Sequence, residues 1–305
     1  MFLYLIPIFS HTKTKQNNDR AVTFVGSSPV ASIIASKCHA QNKRVLALGG
    51  AKNHLVALPD CSIPETARDI VVSAMGCAGQ RCMAASVLLI VGNGSTQKKL
   101  LSSVVELAQK IELGVGSGQC GPVIDSNSKN KILKYIDGVE ANSGAKILVD
   151  GREKMVLGEG KGNWIGPTII QHTSPNDDAM KEEIFGPVLS VYHVKTWTEA
   201  IEIENSNPFG NAACIYTSNG GSAEWFTSRF RAAMLGINIG IPVPREPFSF
   251  GGLYGTKSKY GDVDITADGG MEFFSNRIKV TSKWILPNEN IANDPVDHAN
   301  FAGSF

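Results

Sequence analysis

The sequence predicts an α/β protein with Rossmann-type, mostly parallel sheets, on three observations. Residues 21–60 read as a βαβ unit, apolar runs of strand length alternate with stretches of helical spacing along most of the chain, and Val87-Leu-Leu-Ile-Val91 has the unbroken apolarity of a strand buried on both faces.

Taken in order, Ala21-Val-Thr-Phe-Val25 is a strand, Gly26-Ser-Ser-Pro29 a turn, the Ala/Ile stretch to about residue 40 a helix, and Arg44-Val-Leu-Ala-Leu48 a second strand. Helical spacing returns at 63–75, again after Cys82, and at 97–111, with the apolar 87–91 run between the last two. Further strands are predicted at 146–149, 187–192, 212–216 and 236–239, and helices near 126–142, 196–205 and 222–233. Residues 242–261, rich in Gly, Pro and Ser, have no clear period and read as a long ordered loop over the sheet. Residues 267–274 suit a short helix, and 277–284, apolar at alternate positions, a strand. Beyond residue 286 the chain is polar and Asn/Asp-rich, the composition of a mobile tail.

With 305 residues, 43% of them hydrophobic, the chain can bury a full core and more than one folding unit. Its formal charge of +1 is spread without a basic block, which argues against nucleic acid or an anionic membrane and favours a small soluble ligand. Six scattered cysteines lack zinc or disulfide-scaffold spacing and are expected to be reduced. The apolar opening 1–9 has neither the length of a membrane span nor the basic flank and cleavage pattern of a signal peptide. His39, His172 and His193 have no second ligand at metal spacing, so no metal is predicted.

Cys82 lies in Gly76-Cys-Ala-Gly-Gln-Arg-Cys-Met83, between a helical stretch and an apolar strand, where glycines let backbone approach a ligand and Arg81 is placed to lower the thiol pKa. A lone cysteine in such a place is more often a small buried hydrophobe. Its neighbours decide the matter. Gly-Gln-Arg-Cys resembles the nucleophile segment of aldehyde dehydrogenases, which implies that the Cys82 thiolate adds to an aldehyde carbon and that a hydride then leaves for NAD. Phe24-Val-Gly-Ser27 resembles the family's strand-to-helix turn, implying that Gly26 and Ser27 hold the cofactor pyrophosphate, although Gly-Ser before a helix also serves as a plain N-cap. Glu182-Glu-Ile-Phe-Gly-Pro-Val188 resembles the second signature, implying Glu183 on the nicotinamide ribose and Phe185 beside the nicotinamide. Pro208-Phe-Gly-Asn211 and Pro247-Phe-Ser-Phe-Gly-Gly252 resemble the substrate-channel and loop elements, in the family's order.

Most members carry a Glu in Glu-Leu-Gly-Gly that activates water for thioester hydrolysis. Here the segment reads Leu46-Ala-Leu-Gly-Gly-Ala-Lys-Asn-His54, with Leu48 at the corresponding position and no carboxylate on either side. A thioester that water attacks slowly is open to another thiol, and coenzyme A is the expected acceptor. Gly-Ala-Lys-Asn-His, Gly-Gln-Arg-Cys-Met and Ile241-Pro-Val-Pro244 resemble the acylating methylmalonate-semialdehyde dehydrogenases, which implies methylmalonate or malonate semialdehyde as substrate and propionyl or acetyl coenzyme A plus carbon dioxide as products. Such substrates carry a carboxylate that Arg81 suits, an ion pair within the protein being its other use. Gly49 matches the position whose backbone lies against the nicotinamide, or is a packing glycine. Lys52 and His54 are expected to serve packing or solvent contact, and Cys77 to be a buried neighbour on the helix before Cys82.

The resemblance divides the chain into an unmatched segment at 1–20, a remnant of the NAD-binding domain at 21–50, a catalytic domain at 51–255, a return segment at 256–275, an oligomerisation-type strand at 276–285 and a tail at 286–305. It further implies that an N-terminal part of the cofactor domain is missing, and with it the oxyanion-hole Asn, a loss typically worth about a hundredfold in rate. Weak activity, or a silent fragment or subunit, is therefore an expectation alongside the hydrolytic alternative. The full-length form is expected to be a cytoplasmic homo-oligomer, with the mitochondrial matrix as the alternative compartment.

Overall fold

The computed structural model describes residues 20–142, 144–154, 156 and 162–282. The segment 1–19, the end of the strand expected at 277–284 and the tail lie outside them.

Two sheets organise the described residues. In the first, β1 (Ala21–Val25) pairs parallel with β2 (Arg44–Leu48), joined by α1 (Ser28–His39). Ala31, Ile34, Ala35 and Cys38 recur at helical spacing and bury α1 against Val45 and Ala47 of β2. A third, antiparallel strand, β10 (Lys259–Tyr260), adds to β2. It falls inside the stretch expected to be loop. Two residues are too few to show an alternation, and pairing alone reveals them.

The second sheet has seven strands in the order β5 (Lys146–Val149), β6 (Thr168–Gln171), β7 (Val188–Val194), β4 (Ala85–Val91), β3 (Asn53–Ala57), β8 (Ala212–Tyr216) and β9 (Met234–Ile237). All pairings are parallel except β5 with β6. Central β4 explains the apolar run, since Val87, Leu88, Leu89 and Ile90 are all fully buried. Leu88 and Ile90 join α2 (Ile63–Met75) and α3 (Ser95–Lys110) on one face, while Val87 and Leu89 join α6 (Trp197–Ser206) and α7 (Gly220–Thr227) on the other. Each such side chain contributes about 1.5–3 kcal/mol of transfer free energy. The remaining helices are α4 (Ser126–Asn142), α5 (Asp178–Lys181) and α8 (Ala267–Phe274).

Several boundaries differ from expectation. The helix at 222–233 stops at Thr227, because the chain must turn through Arg229 to Ala233 to start β9, which runs two residues earlier than predicted. No helix stands between Cys82 and β4. The carbonyls of Cys82 and Ala84 are both taken by the Asn53 side chain and are withheld from helical bonding. Ser275 begins a second compact unit, whose described residues 275–282 form no helix or strand, so the expected strand at 277–284 is not formed as far as residue 282.

Candidate active site

The cleft of interest lies between the carboxyl ends of β1 and β2 and the amino ends of β3, β4, β7 and β8. The chain approaches Cys82 through a strained turn after α2. Cys77 (φ 55°), Ala78 (φ 53°) and Gly79 (φ 66°) are all left-handed, a costly conformation for the two non-glycine residues and one found where surrounding structure imposes it. Cys77 is exposed, not the buried neighbour expected, because the helix has already ended and the turn points it outward.

Arg81 reaches back to α2. Its Nη2 donates to the carbonyls of Val72 and Ser73, both at 3.2 Å, and lies against Gly76, so the guanidinium caps a helix C-terminus. Its Nε is buried and has no partner among the described residues.

Cys82 is half-buried. Its carbonyl accepts from Asn53 Nδ2 at 2.8 Å and Asn211 Nδ2 at 3.0 Å, and Asn53 Oδ1 accepts the Ala212 N–H at 3.1 Å. Burial, followed by the Glu183 carboxylate, pushes the thiol above its ordinary value, outweighing the backbone N–H groups of Cys82 and Met83 and then Arg81, which pull it down. The lowering expected from Arg81 is thus overcome by desolvation.

A narrow cavity of about 10 Å³ brings Cys82, Arg81, Glu183 and Phe185 together with Ala51 and Lys52. Glu183 Oε1 accepts the Ala51 N–H at 2.9 Å, Lys131 Nζ donates to the Glu183 carbonyl at 3.0 Å, and burial raises the Glu183 carboxyl. Phe185 is 45% exposed with φ 60°, an unusual conformation for an aromatic residue and one that presents its ring to the cleft mouth. Ala47 and Leu48 are buried among apolar side chains, so Glu183 is the carboxylate next to the thiol.

Glu183 also lines a cavity of about 810 Å³ that reaches Ser27, Lys131, Phe209 and Lys257. Ser27 is exposed at the start of α1 and its side chain accepts no capping bond. The adjacent Ser28, not singled out in the sequence, does the inner work: its hydroxyl donates to the Lys257 carbonyl at 2.6 Å and accepts the Gly50 N–H at 2.9 Å. Gly26 donates its N–H to the Leu48 carbonyl at 3.1 Å. Gly49 is buried, and a Cβ there would stand 2.1 Å from the Lys257 carbonyl, which gives this glycine a packing role where β2 meets β10.

Lys52 and His54 are buried, 4% and 2% exposed, with Lys52 on the narrow slot and His54 on the larger cavity. Lys52 Nζ donates to the Ala179 carbonyl at 2.8 Å, and burial pushes its pKa down to about 7. His54 is pushed down to about 3, first by burial and then by Lys52. The unfolded chain therefore takes up a proton below pH 6.5 that the folded chain refuses, and stability falls as pH drops from 6.5 towards 3. Between pH 7 and 5 this one group is expected to cost about 2 kcal/mol. Urea denaturation at both pH values checks it: the His54→Leu variant should lose less stability over the interval, and an equal loss in both proteins would refute the assignment.

Residues 10–280 match the aldehyde dehydrogenase family. The chain belongs to the aldehyde dehydrogenase family. It is 42% identical over 269 residues to malonate-semialdehyde dehydrogenase 3 of Bacillus cereus, an alignment that covers 87% of this chain and 54% of the relative. A malonate-semialdehyde dehydrogenase of Geobacillus thermodenitrificans is 40% identical over 268 residues, with the same coverage. Among solved structures, methylmalonate-semialdehyde dehydrogenase from Oceanimonas doudoroffii superposes with a TM-score of 0.85 at 37% identity, covering 90% of this chain and 56% of that one. A putative methylmalonate-semialdehyde dehydrogenase from Sinorhizobium meliloti 1021, complexed with NAD, gives 0.83 at 35%, covering 87% and 54%. This aldehyde dehydrogenase family chain thus spans about half the length of the curated relatives it matches.

Proposed function

We propose that the chain carries the thiol centre of an NAD-dependent, coenzyme A-acylating dehydrogenase of malonate or methylmalonate semialdehyde. The observation that carries the proposal is that Glu183 lines both the slot holding the Cys82 thiol and the larger cavity reaching Ser27. A group held at Ser27 and Glu183 would end beside the sulfur. Two features fit a dinucleotide there: the start of α1, where the Ser27 side chain accepts no capping bond among the described residues, and the exposed Phe185 ring at the slot's mouth. Gly26, Ser27, Glu183 and Phe185 are the proposed contacts, with Gly49 holding the shape of the cradle. Bound NAD would supply the hydride acceptor.

In this reading the Cys82 sulfur bonds to the aldehyde carbon, loss of hydride leaves a malonyl thioester, the bond from its α-carbon to the carboxylate breaks to release carbon dioxide, and the α-carbon takes up a proton to leave an acetyl thioester. The thiol of coenzyme A then takes the acyl group and returns the sulfur to Cys82. For malonate semialdehyde the sum is acetyl coenzyme A, carbon dioxide and NADH. The buried Arg81 Nε, which lacks a protein partner among the described residues, suits the substrate carboxylate. The apolar surroundings of Ala47 and Leu48 favour acyl transfer over hydrolysis, since that strand offers water no base.

Malonate semialdehyde with NAD should yield NADH faster when coenzyme A is present, with acetyl coenzyme A as product. Free acid at a rate indifferent to coenzyme A would replace the acylating assignment with a hydrolytic one. A second reading, a silent subunit, draws on the raised thiol pKa and on the half-length match. Calorimetric titration separates the two, since no NAD binding at about millimolar concentration would favour the silent subunit. We further propose a reducing compartment, cytoplasm or mitochondrial matrix, in keeping with six free cysteines, and a homo-oligomer in the full-length form, which fractionation and light scattering would test.

A further inference from the structure

The Cys82 carbonyl receives two side-chain amides, and a carbonyl oxygen has two lone pairs to give. Both donors are rigidly held. Asn53, 2% exposed, opens β3, donates also to the Ala84 carbonyl at 2.9 Å and accepts the Ala212 N–H. Asn211, 7% exposed, stands immediately before β8, with its Nδ2 also 3.1 Å from Met83 Sδ. The nucleophile loop is thereby tied to two neighbouring strands at one peptide.

A trans peptide is planar, with its C=O and N–H on opposite sides. Fixing the Cys82 carbonyl on the asparagine side sends the Met83 N–H to the other. Among the described residues, neither the Met83 N–H nor the Cys82 N–H has a backbone or side-chain oxygen partner, and both favour the ionised sulfur. We propose that Asn53 and Asn211 are positioning residues, an amide clamp that orients the Cys82–Met83 peptide so that the Met83 N–H is presented to the Cys82 sulfur. The clamp rests on the reading of Cys82 as the nucleophile. It supplies, from this chain alone, a fixed dipole for a thiolate that burial and the Glu183 carboxylate oppose and that Arg81 does too little to support.

The test is the pH dependence of Cys82 alkylation by iodoacetamide in the whole chain, read by peptide mass spectrometry in a Cys77→Ser background that removes the exposed competing thiol. Asn211→Leu is expected to move the alkylation midpoint to higher pH and to slow the reaction at neutral pH by about tenfold. Asn211→Gln, which keeps the amide, should recover part of the rate. Asn53→Leu should act in the same direction, with a larger loss of thermal stability because the Ala212 N–H is orphaned as well. Should bulk at position 211 disturb folding, Asn211→Ala reads the same shift. Folded variants that melt earlier yet keep the parent's alkylation midpoint would overturn the clamp and reduce both asparagines to packing. Alkylation needs no turnover, so a chain that shifts as expected but never reduces NAD would sink the dehydrogenase proposal and leave the clamp standing.

Discussion

A Cys82→Ala variant is expected to lose NAD reduction with malonate semialdehyde down to the rate without protein, while its far-ultraviolet dichroism and thermal midpoint stay close to the parent's. The sulfur is the proposed site of every covalent step, and removal of such a nucleophile commonly costs on the order of 10⁴-fold or more. The fold should be indifferent, because Cys82 is half-buried and contributes only the edge of a small cluster with Met83, Ala212 and Met234. Cys77→Ala serves as the comparison. It removes the exposed thiol of the preceding turn and should leave the rate within about twofold, as for a surface substitution outside the lining of the slot. Retained activity in the Cys82 variant, or an equal loss in the Cys77 variant, would contradict the assignment.

The largest structural effect is expected at Gly79. Its φ of 66° belongs to the left-handed region, and a Cβ there would stand 2.0 Å from the Gly186 carbonyl, backbone against backbone. Gly79→Ala should therefore cost about 3 kcal/mol or more, from conformational strain of about 1 kcal/mol and displacement of the 186–187 peptide. Gly118→Ala isolates the first contribution, since Gly118 has φ 79° with nothing within 4 Å of an added Cβ, and should cost only about 1 kcal/mol. Urea denaturation of the two variants separates strain from collision. The Gly79 contact also joins the turn leading to Cys82 with the segment carrying Glu183 and Phe185, so the same change should impair the thiol slot.

How much of this is legible in the sequence depends on how local each feature is. The long apolar run of β4, the 17-residue α4 and the β1–α1–β2 unit declare themselves by period, and the structure has them. β10 and the end of α7 are set by partners remote in sequence, which periodicity cannot report. Cys82, Arg81, Glu183 and Phe185 stand out because they sit in short motifs, and all four line one cleft. Gly49 is ambiguous until its neighbours are in place, since a packing glycine and a ligand-facing glycine look alike in one dimension. Asn53 and Asn211 escape notice as individuals because their importance is a meeting of two distant strand ends on a carbonyl that belongs to a third segment. The one hint is a buried-type asparagine at the head of two apolar strands, where a hydrophobe would be the default. The direction of the Cys82 pKa is also beyond the sequence, because Arg81 adjoins the thiol in the chain whereas Glu183 and burial arrive only through folding.

The most direct measurement is chemical capture at the sulfur. Protein incubated with malonate semialdehyde and NAD but no coenzyme A, quenched in acid and digested, should give a peptide containing Cys82 that carries an acyl group, and a brief chase with coenzyme A should discharge it as acetyl coenzyme A. An unmodified Cys82 peptide alongside NADH formation, or an acyl group on another residue, would contradict the thioester at Cys82.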